Sequence, residues 1–170
     1  IWRAHDLHEL INAVPLYLQG ANPGRGRTVI VTPSGAIGVL CADAAERIGL
    51  ELSDLAPATL ESLTQVLPAF ATAANPLDLT AGLLGRPSLF PKALRMIGAD
   101  SAADMLLVGV TIAGPGYDTR GTVEAIAGFA AKTGKPVAVT APLETTLALL
   151  RAQGLPAYSN ETDAVRALHQ

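Results

Sequence analysis

Apolar positions along this chain follow two rhythms. Three short runs, Arg27–Thr32, Asp104–Thr111 and Lys135–Thr140, are β-rich and apolar almost throughout. Unbroken apolar strands suit a parallel sheet covered on both faces. The segments Leu50–Leu52 and Pro76–Leu79 are weaker candidate strands, and Ala157–Ser159 is a candidate edge strand. Between them the apolar positions recur every three or four residues, which predicts helices over Gly35–Ile48, Ala58–Leu67, Ser88–Ile97, Thr119–Thr133, Leu143–Gln153 and Glu161–His169. Gly49, Gly98, Gly134 and Gly154 follow these periodic stretches, where a left-handed helix cap is expected. Alternation of this kind predicts an α/β fold: a doubly wound, mostly parallel, flavodoxin-like sheet with helices on both faces.

The first strand opens the informative region. Val29-Ile-Val-Thr32-Pro-Ser34-Gly35-Ala36-Ile37-Gly38 reads as a buried strand, a tight turn and a helix start. Free backbone N–H groups and the positive end of the helix dipole then converge on one spot, which favours a phosphate or carboxylate. Ser34 stands at the N-cap, where its hydroxyl either accepts a hydrogen bond from the first turn or leaves that turn to a ligand. Along the helix, Ile37, Leu40, Cys41, Ala44, Ala45 and Ile48 share the predicted core face, while Asp43, Glu46 and Arg47 face water. Cys41 thus reads as a small buried hydrophobe.

Two more polar segments are expected at the same sheet edge. Asn75-Pro-Leu-Asp78-Leu-Thr80 is a turn leading into a short strand, and Asn, Asp and Thr there either bond local backbone or shape a pocket. The loop from Thr111 to Asp118, with Gly114, Pro115, Gly116 and Tyr117, follows a strong strand where ligands gather in such sheets. Ahead of all this, Asp6–Leu18 is expected to be a helix bent near Pro15, and Gly20–Arg27 a flexible basic connector. We therefore divide the chain into residues 1–26, an N-terminal helix and linker from a preceding region, and a domain of residues 27–170. The sequence reads as part of a longer protein.

Composition narrows the chemistry. The 170 residues are 49% hydrophobic with a net charge of −3 and one Cys, without a Lys/Arg stripe or an apolar run long enough to span a bilayer. A cytoplasmic domain that binds neither nucleic acid nor membrane is expected. His5, His8 and His169 lie near the chain ends, and no Cys/His spacing for a metal and no nucleophile–base pair is present. No catalytic residue and no metal ligand is expected here. The domain's contribution would be positioning and electrostatics, with the reactive group supplied from elsewhere.

Several short motifs occur in order. Thr32-Pro-Ser-Gly-Ala-Ile-Gly-Val-Leu-Cys-Ala-Asp43 is followed by Gly49-Leu-Glu-Leu, Leu67-Pro-Ala-Phe70, Asn75-Pro-Leu-Asp-Leu-Thr80, Lys135-Pro-Val and Gly154-Leu-Pro-Ala-Tyr. This series resembles the second flavodoxin-like ligase domain of the ADP-forming (NDP-forming) acyl-CoA synthetases, relatives of succinyl-CoA synthetase. The resemblance implies a protein that joins a small-molecule acid to CoA using ATP, through an acyl phosphate and a phosphohistidine. It also implies CoA-binding, first ligase and ATP-grasp domains as partners, in the same or another chain. The phosphorylated His belongs to the other ligase domain, so the isolated chain is expected to be inactive. No cofactor is expected on this domain alone; ATP, Mg and CoA are implied for the full-length enzyme.

By this resemblance, Thr32, Ser34, Gly35, Ala36, Ile37 and Gly38 would present a helix start to the phosphohistidine or acyl phosphate. Asn75, Asp78 and Thr80 would shape the same phosphate- and substrate-binding pocket. Pro33 stands where the family has Asn, and Ala36 where it has Gly. The first removes a donor and the second adds a methyl. Two alternatives stay open: a non-catalytic regulatory or interaction domain of an acyl-CoA-synthetase-like protein acetyltransferase, and an FMN-binding flavodoxin-like protein.

Overall fold

The structure, a computed structural model, describes residues 2–111 and 116–170. A helix α1 (Leu7–Leu18) precedes strand β1 (Thr28–Thr32) and helix α2 (Gly35–Ile48). Helix α3 (Pro57–Val66), the two-residue strand β2 (Leu77–Asp78) and helix α4 (Leu89–Ala99) lead to β3 (Met105–Gly109). Then come α5 (Thr119–Thr133), β4 (Val137–Thr140), α6 (Glu144–Ala152), β5 (Ala157–Tyr158) and α7 (Glu161–His169). The sheet is parallel throughout, in the order β2-β1-β3-β4-β5. The Leu50–Leu52 segment contributes only an isolated bridge, Thr28 to Leu52.

Side-chain alternation divides the core in two. Val29, Val31, Leu106, Val108, Val137 and Val139 point to the face covered by α3, α4, α5 and α6, against Leu63, Ile97, Ile126 and Leu150. Ile30, Leu107 and Ala138 point to the opposite face, against Cys41, Ala44, Ala45 and Val165 of α2 and α7. Every residue of β1, β3 and β4 is buried, as a strand covered on both sides requires.

Small residues set how α2 lies on the sheet. Gly38, Cys41, Ala44 and Ala45 are buried, which lets the helix axis come close. The bulkier flanking side chains are thereby displaced sideways. Leu40, expected in the core, is 50% exposed, and Ile37 and Ile48 are half-buried. Cys41 is fully buried, and burial pushes its thiol up to about 12. Gly49 and Gly134 cap α2 and α5 in the left-handed region, and Gly154 has φ +72°. Gly98 does not cap a helix; α4 runs on to Ala99, and a Cβ at Gly98 would stand 3.0 Å from Thr133 Cγ2 and 3.2 Å from Phe129. That glycine serves the close packing of α4 on α5. The end of α4 is instead met by Lys135, whose ammonium donates to the carbonyls of Gly98 and Asp100.

The N-terminal region is fastened to the sheet. Helix α1 runs through Pro15 as one element and packs against α7. Tyr158 Oη donates to the carbonyl of Asn12 at 2.9 Å. The Gln19 amide both donates to and accepts from the backbone of Val137, at 3.2 and 3.0 Å, and so completes β4 where β5 has not yet begun. The glycine-rich connector, expected to be flexible, wraps a carboxylate. Asp104 accepts from the backbone amides of Arg25 and Arg27 and from the Arg27 guanidinium at 2.7 and 3.1 Å.

These bonds carry a pH dependence. The Arg27 side chain holds the Asp104 carboxyl below its ordinary value. Burial works against ionisation of Asp100, but the amides of Ala102 and Ala56 outweigh it and its carboxyl is lowered too. A carboxyl whose folded value lies below its unfolded one stabilises the fold above the unfolded value, and the contribution is lost as pH falls through the folded value. The urea midpoint is therefore expected to fall steeply below the usual carboxylate value near pH 4. Asp104→Asn should flatten that fall; an unchanged acid profile in the variant would count against the clamp.

Candidate functional site

The strand order places a crevice at the carboxyl ends of β1 and β3. From β1 the chain first crosses to β2 at one edge and then returns to β3 on the other side. Connections that depart in opposite directions leave a gap above the strands, the usual ligand position in open α/β sheets.

At this gap Thr32 is fully buried, and its hydroxyl accepts from the Ser34 amide at 3.2 Å, closing the turn. Ser34 is the extended N-cap of α2, with φ −139° and ψ 115°. Its hydroxyl makes no capping hydrogen bond, so that of the two readings of Ser34 the turn is left open. Its carbonyl accepts from Gly38 at 3.1 Å. Among the described residues nothing accepts from the amides of Gly35, Ala36 or Ile37. Gly35 and Ala36 are exposed, so these donors and the positive end of a 14-residue helix face solvent together.

Beneath that turn the packing is tight. A Cβ on Gly109 would stand 2.6 Å from Ile37 Cγ2 and 3.1 Å from Thr32 Oγ1, so only glycine lets the first turn of α2 rest on the end of β3. Gly38 is buried with its Cβ position 3.2 Å from Pro76, and its amide is spent within the helix. It supports the turn without facing it.

The second predicted segment divides. Asp78 pairs with Thr32 across the ladder, and its Oδ1 accepts from the Thr80 amide at 2.8 Å. Its other oxygen lies 3.1 Å from the Cβ position of Gly35, so this carboxylate stands beside the open turn. Thr80 has φ +59° and ψ −178°, a region β-branched residues avoid, and its hydroxyl accepts from Gly82. Asn75 goes elsewhere. Its amide accepts from Ile30 at 2.9 Å and donates to the carbonyls of Thr28 and Ser53 at 2.8 and 3.0 Å. Those partners lie in the first half of β1 and behind it, below the turn, so Asn75 stitches the sheet and does not face the crevice.

Next to the turn is a cleft of about 320 Å³, which Pro33 and Gly109 line together with Leu83, Phe90, Val110 and Tyr117. Among the described residues, no Lys or Arg lines it. Leu83 and Phe90 escaped sequence reasoning; the available signal was Phe90 between Pro87 and Pro91, an apolar ring at a helix start where polar residues are usual. Of the loop expected to lie here, residues 112–115 fall outside the described residues, while half-buried Tyr117 reaches the cleft. At the end of β3 the Thr111 hydroxyl is buried with no partner among the described residues. Also among them, no three His, Cys, Asp or Glu side chains converge as metal ligands, and no helix is long and apolar enough to cross a membrane. His8 pairs with Asp163 on the α1–α7 flank, and His5 with Glu9.

Comparison with known proteins settles the kinship. The family model described as the Ligase-CoA domain matches residues 28–168, nearly the whole chain from β1 onward. The chain belongs to the Ligase-CoA domain family. Among curated relatives of this Ligase-CoA domain, the alpha subunit of ADP-forming acetate–CoA ligase II from Pyrococcus furiosus is 29% identical over 175 residues, which cover 98% of this chain and 37% of that protein. A trans-feruloyl-CoA synthase from an unknown prokaryotic organism is 32% identical over 113 residues, 66% of this chain and 16% of that protein. The crystal structure of PH0766 from Pyrococcus horikoshii OT3 superposes with a TM-score of 0.86 at 26% identity, covering 98% of this chain and 39% of that one. The Ligase-CoA domain described here thus spans little more than a third of the two Pyrococcus proteins, and its match covers 16% of the synthase.

Proposed function

We propose that this domain is the supporting half of the phosphate site of an NDP-forming acyl-CoA synthetase. The complete enzyme would convert an acid, CoA and ATP into acyl-CoA, ADP and phosphate. The observation that carries the reading is the open first turn of α2, whose Gly35, Ala36 and Ile37 amides face the switch-point crevice in a chain of Ligase-CoA kinship. These donors are fixed before any ligand arrives, so stabilising a phosphohistidine or acyl phosphate there costs no reorganisation. The phosphorylated group would come from a partner domain, along with CoA-binding and ATP-grasp domains, in the same or a separate chain. ATP, Mg and CoA would be held by those partner domains. With backbone donors alone, and with Pro33 and Asp78 at the turn, phosphate affinity of the isolated chain should be weak.

Phosphate titration followed by backbone amide shifts tests the site. The Ser34–Gly38 amides are expected to move first; shifts confined to other regions would overturn it. Ala36→Asp is a sharper probe, since an acidic residue in a first turn suits the helix dipole. The variant should keep or slightly raise its Tm, abolish the phosphate response, and slow ligation by the complete enzyme about 100-fold, the order lost with an oxyanion donor. The chain alone should form no acyl-CoA. A variant that ligates as fast as the parent would remove α2 from the mechanism.

A further inference from the structure

The cleft beside the turn carries information on the acid, provided that the domain serves the ligase function proposed above. We propose that the acid is a monocarboxylate with a bulky apolar tail, that the cleft between the starts of α4 and α5 holds this tail, and that Asp118 at its rim excludes acids bearing a second carboxylate.

Continuity gives the position. Pro33 immediately precedes the N-cap of α2, and Gly109 supports its first turn; both line the cleft. A carboxyl carbon held at the Gly35–Ile37 amides therefore has its substituent directed past Pro33, over Gly109 and into this space. Size gives the class. The volume of about 320 Å³ falls at the lower end of the roughly 300–1,000 Å³ found for small-molecule pockets, far beyond what a methyl group fills. The walls agree, since Leu83, Phe90, Pro91, Val110 and the Tyr117 ring are apolar.

Charge gives the exclusion. The charged side chain among the lining residues is Asp118, and it is held in place by its own role. Its Oδ1 accepts from the Gly121 amide at 2.8 Å, capping α5. With no lysine or arginine among the described lining residues to offset it, a second carboxylate on the acid would meet a fixed negative charge. Ser88, Thr119 and Thr122 leave room for a hydroxyl on the tail, because hydroxyls donate as well as accept.

The test uses the ligase assembled from this chain and its complementary domains, supplied with acetate, butanoate, hexanoate, phenylacetate or succinate. Each methylene entering the cleft should raise kcat/KM about four-fold, so hexanoate and phenylacetate should exceed acetate by more than about ten-fold, and succinate should fall below butanoate. Leu83→Trp fills the cleft and should lower the hexanoate-to-acetate ratio about ten-fold. Asp118→Asn keeps a capping side chain and should raise the succinate-to-butanoate ratio about ten-fold, a change that a merely structural cap would not produce. Phenylacetate titrated into the chain should shift the Gly109, Val110 and Tyr117 amides, which keeps the test decisive if Leu83→Trp fails to fold. A flat profile across the acids, variants that scale all acids equally, or shifts that avoid these amides would overturn the tail site while leaving the ligase reading intact. No turnover with any acid would instead overturn the ligase reading, and the tail site with it.

Discussion

Asn75→Ala is expected to lower the unfolding free energy by about 3–5 kcal/mol while leaving the phosphate response of the folded chain in place. The size follows from what the side chain satisfies. Ile30 is fully buried, and its amide has the Asn75 carbonyl oxygen as its partner. The Ser53 carbonyl belongs to a residue 3% exposed and has the Asn75 amide as its donor, whereas the buried Thr28 carbonyl keeps the Ser53 amide when Asn75 is lost. Orphaning a buried backbone group costs about 1–3 kcal/mol, and alanine leaves two of them bare, the Ile30 amide and the Ser53 carbonyl. Urea unfolding measures the loss; phosphate titration of the surviving fold should still move Ser34–Gly38. Undiminished stability with the phosphate response gone would reverse the assignment and return Asn75 to the ligand.

Gly109→Ala should cost about 1–3 kcal/mol, the usual range for overpacking a tight contact. It should also displace the first turn of α2, because the new methyl meets Ile37 Cγ2 and Thr32 Oγ1. Phosphate shifts should therefore weaken at the turn along with the fall in Tm. Adding Ile37→Ala removes one of the two collisions, and the pair should prove coupled by more than about 0.5 kcal/mol. Strictly additive losses would mean that β3 and α2 do not touch as described.

These two glycine and asparagine positions show which kind of information the sequence carries. The limits of α2, α5 and α7 were legible residue by residue, because periodicity, N-caps and Gly49 and Gly134 are local signals. The parallel sheet was legible from its fully apolar strands, and the strand–turn–helix start from the Thr32–Gly38 pattern, which left capping by Ser34 or an open turn undecided. Whatever depended on a distant partner was not. Gly98 looked like a cap because nothing nearby in sequence announces Phe129 and Thr133 against it. Gly20–Arg27 looked loose because its organiser, Asp104, arrives about eighty residues later. Asn75 had the composition of a ligand loop, and only its position below the turn shows that it is consumed by the backbone. The cleft escaped for the same reason, since its walls come from three separate connections across the sheet edge.

The side chain of Gln19 acts as a borrowed rung for β4, giving Val137 the pairing that a longer β5 would have provided. Its position nine residues before the family match at residue 28 matters for anyone cutting this protein into pieces. A fragment trimmed to the match would leave one rung of β4 bare and the Tyr158 hydroxyl without Asn12. Bare strand edges recruit other chains. Clean monomeric material thus calls for keeping the first helix attached, although no residue of the crevice lies within it.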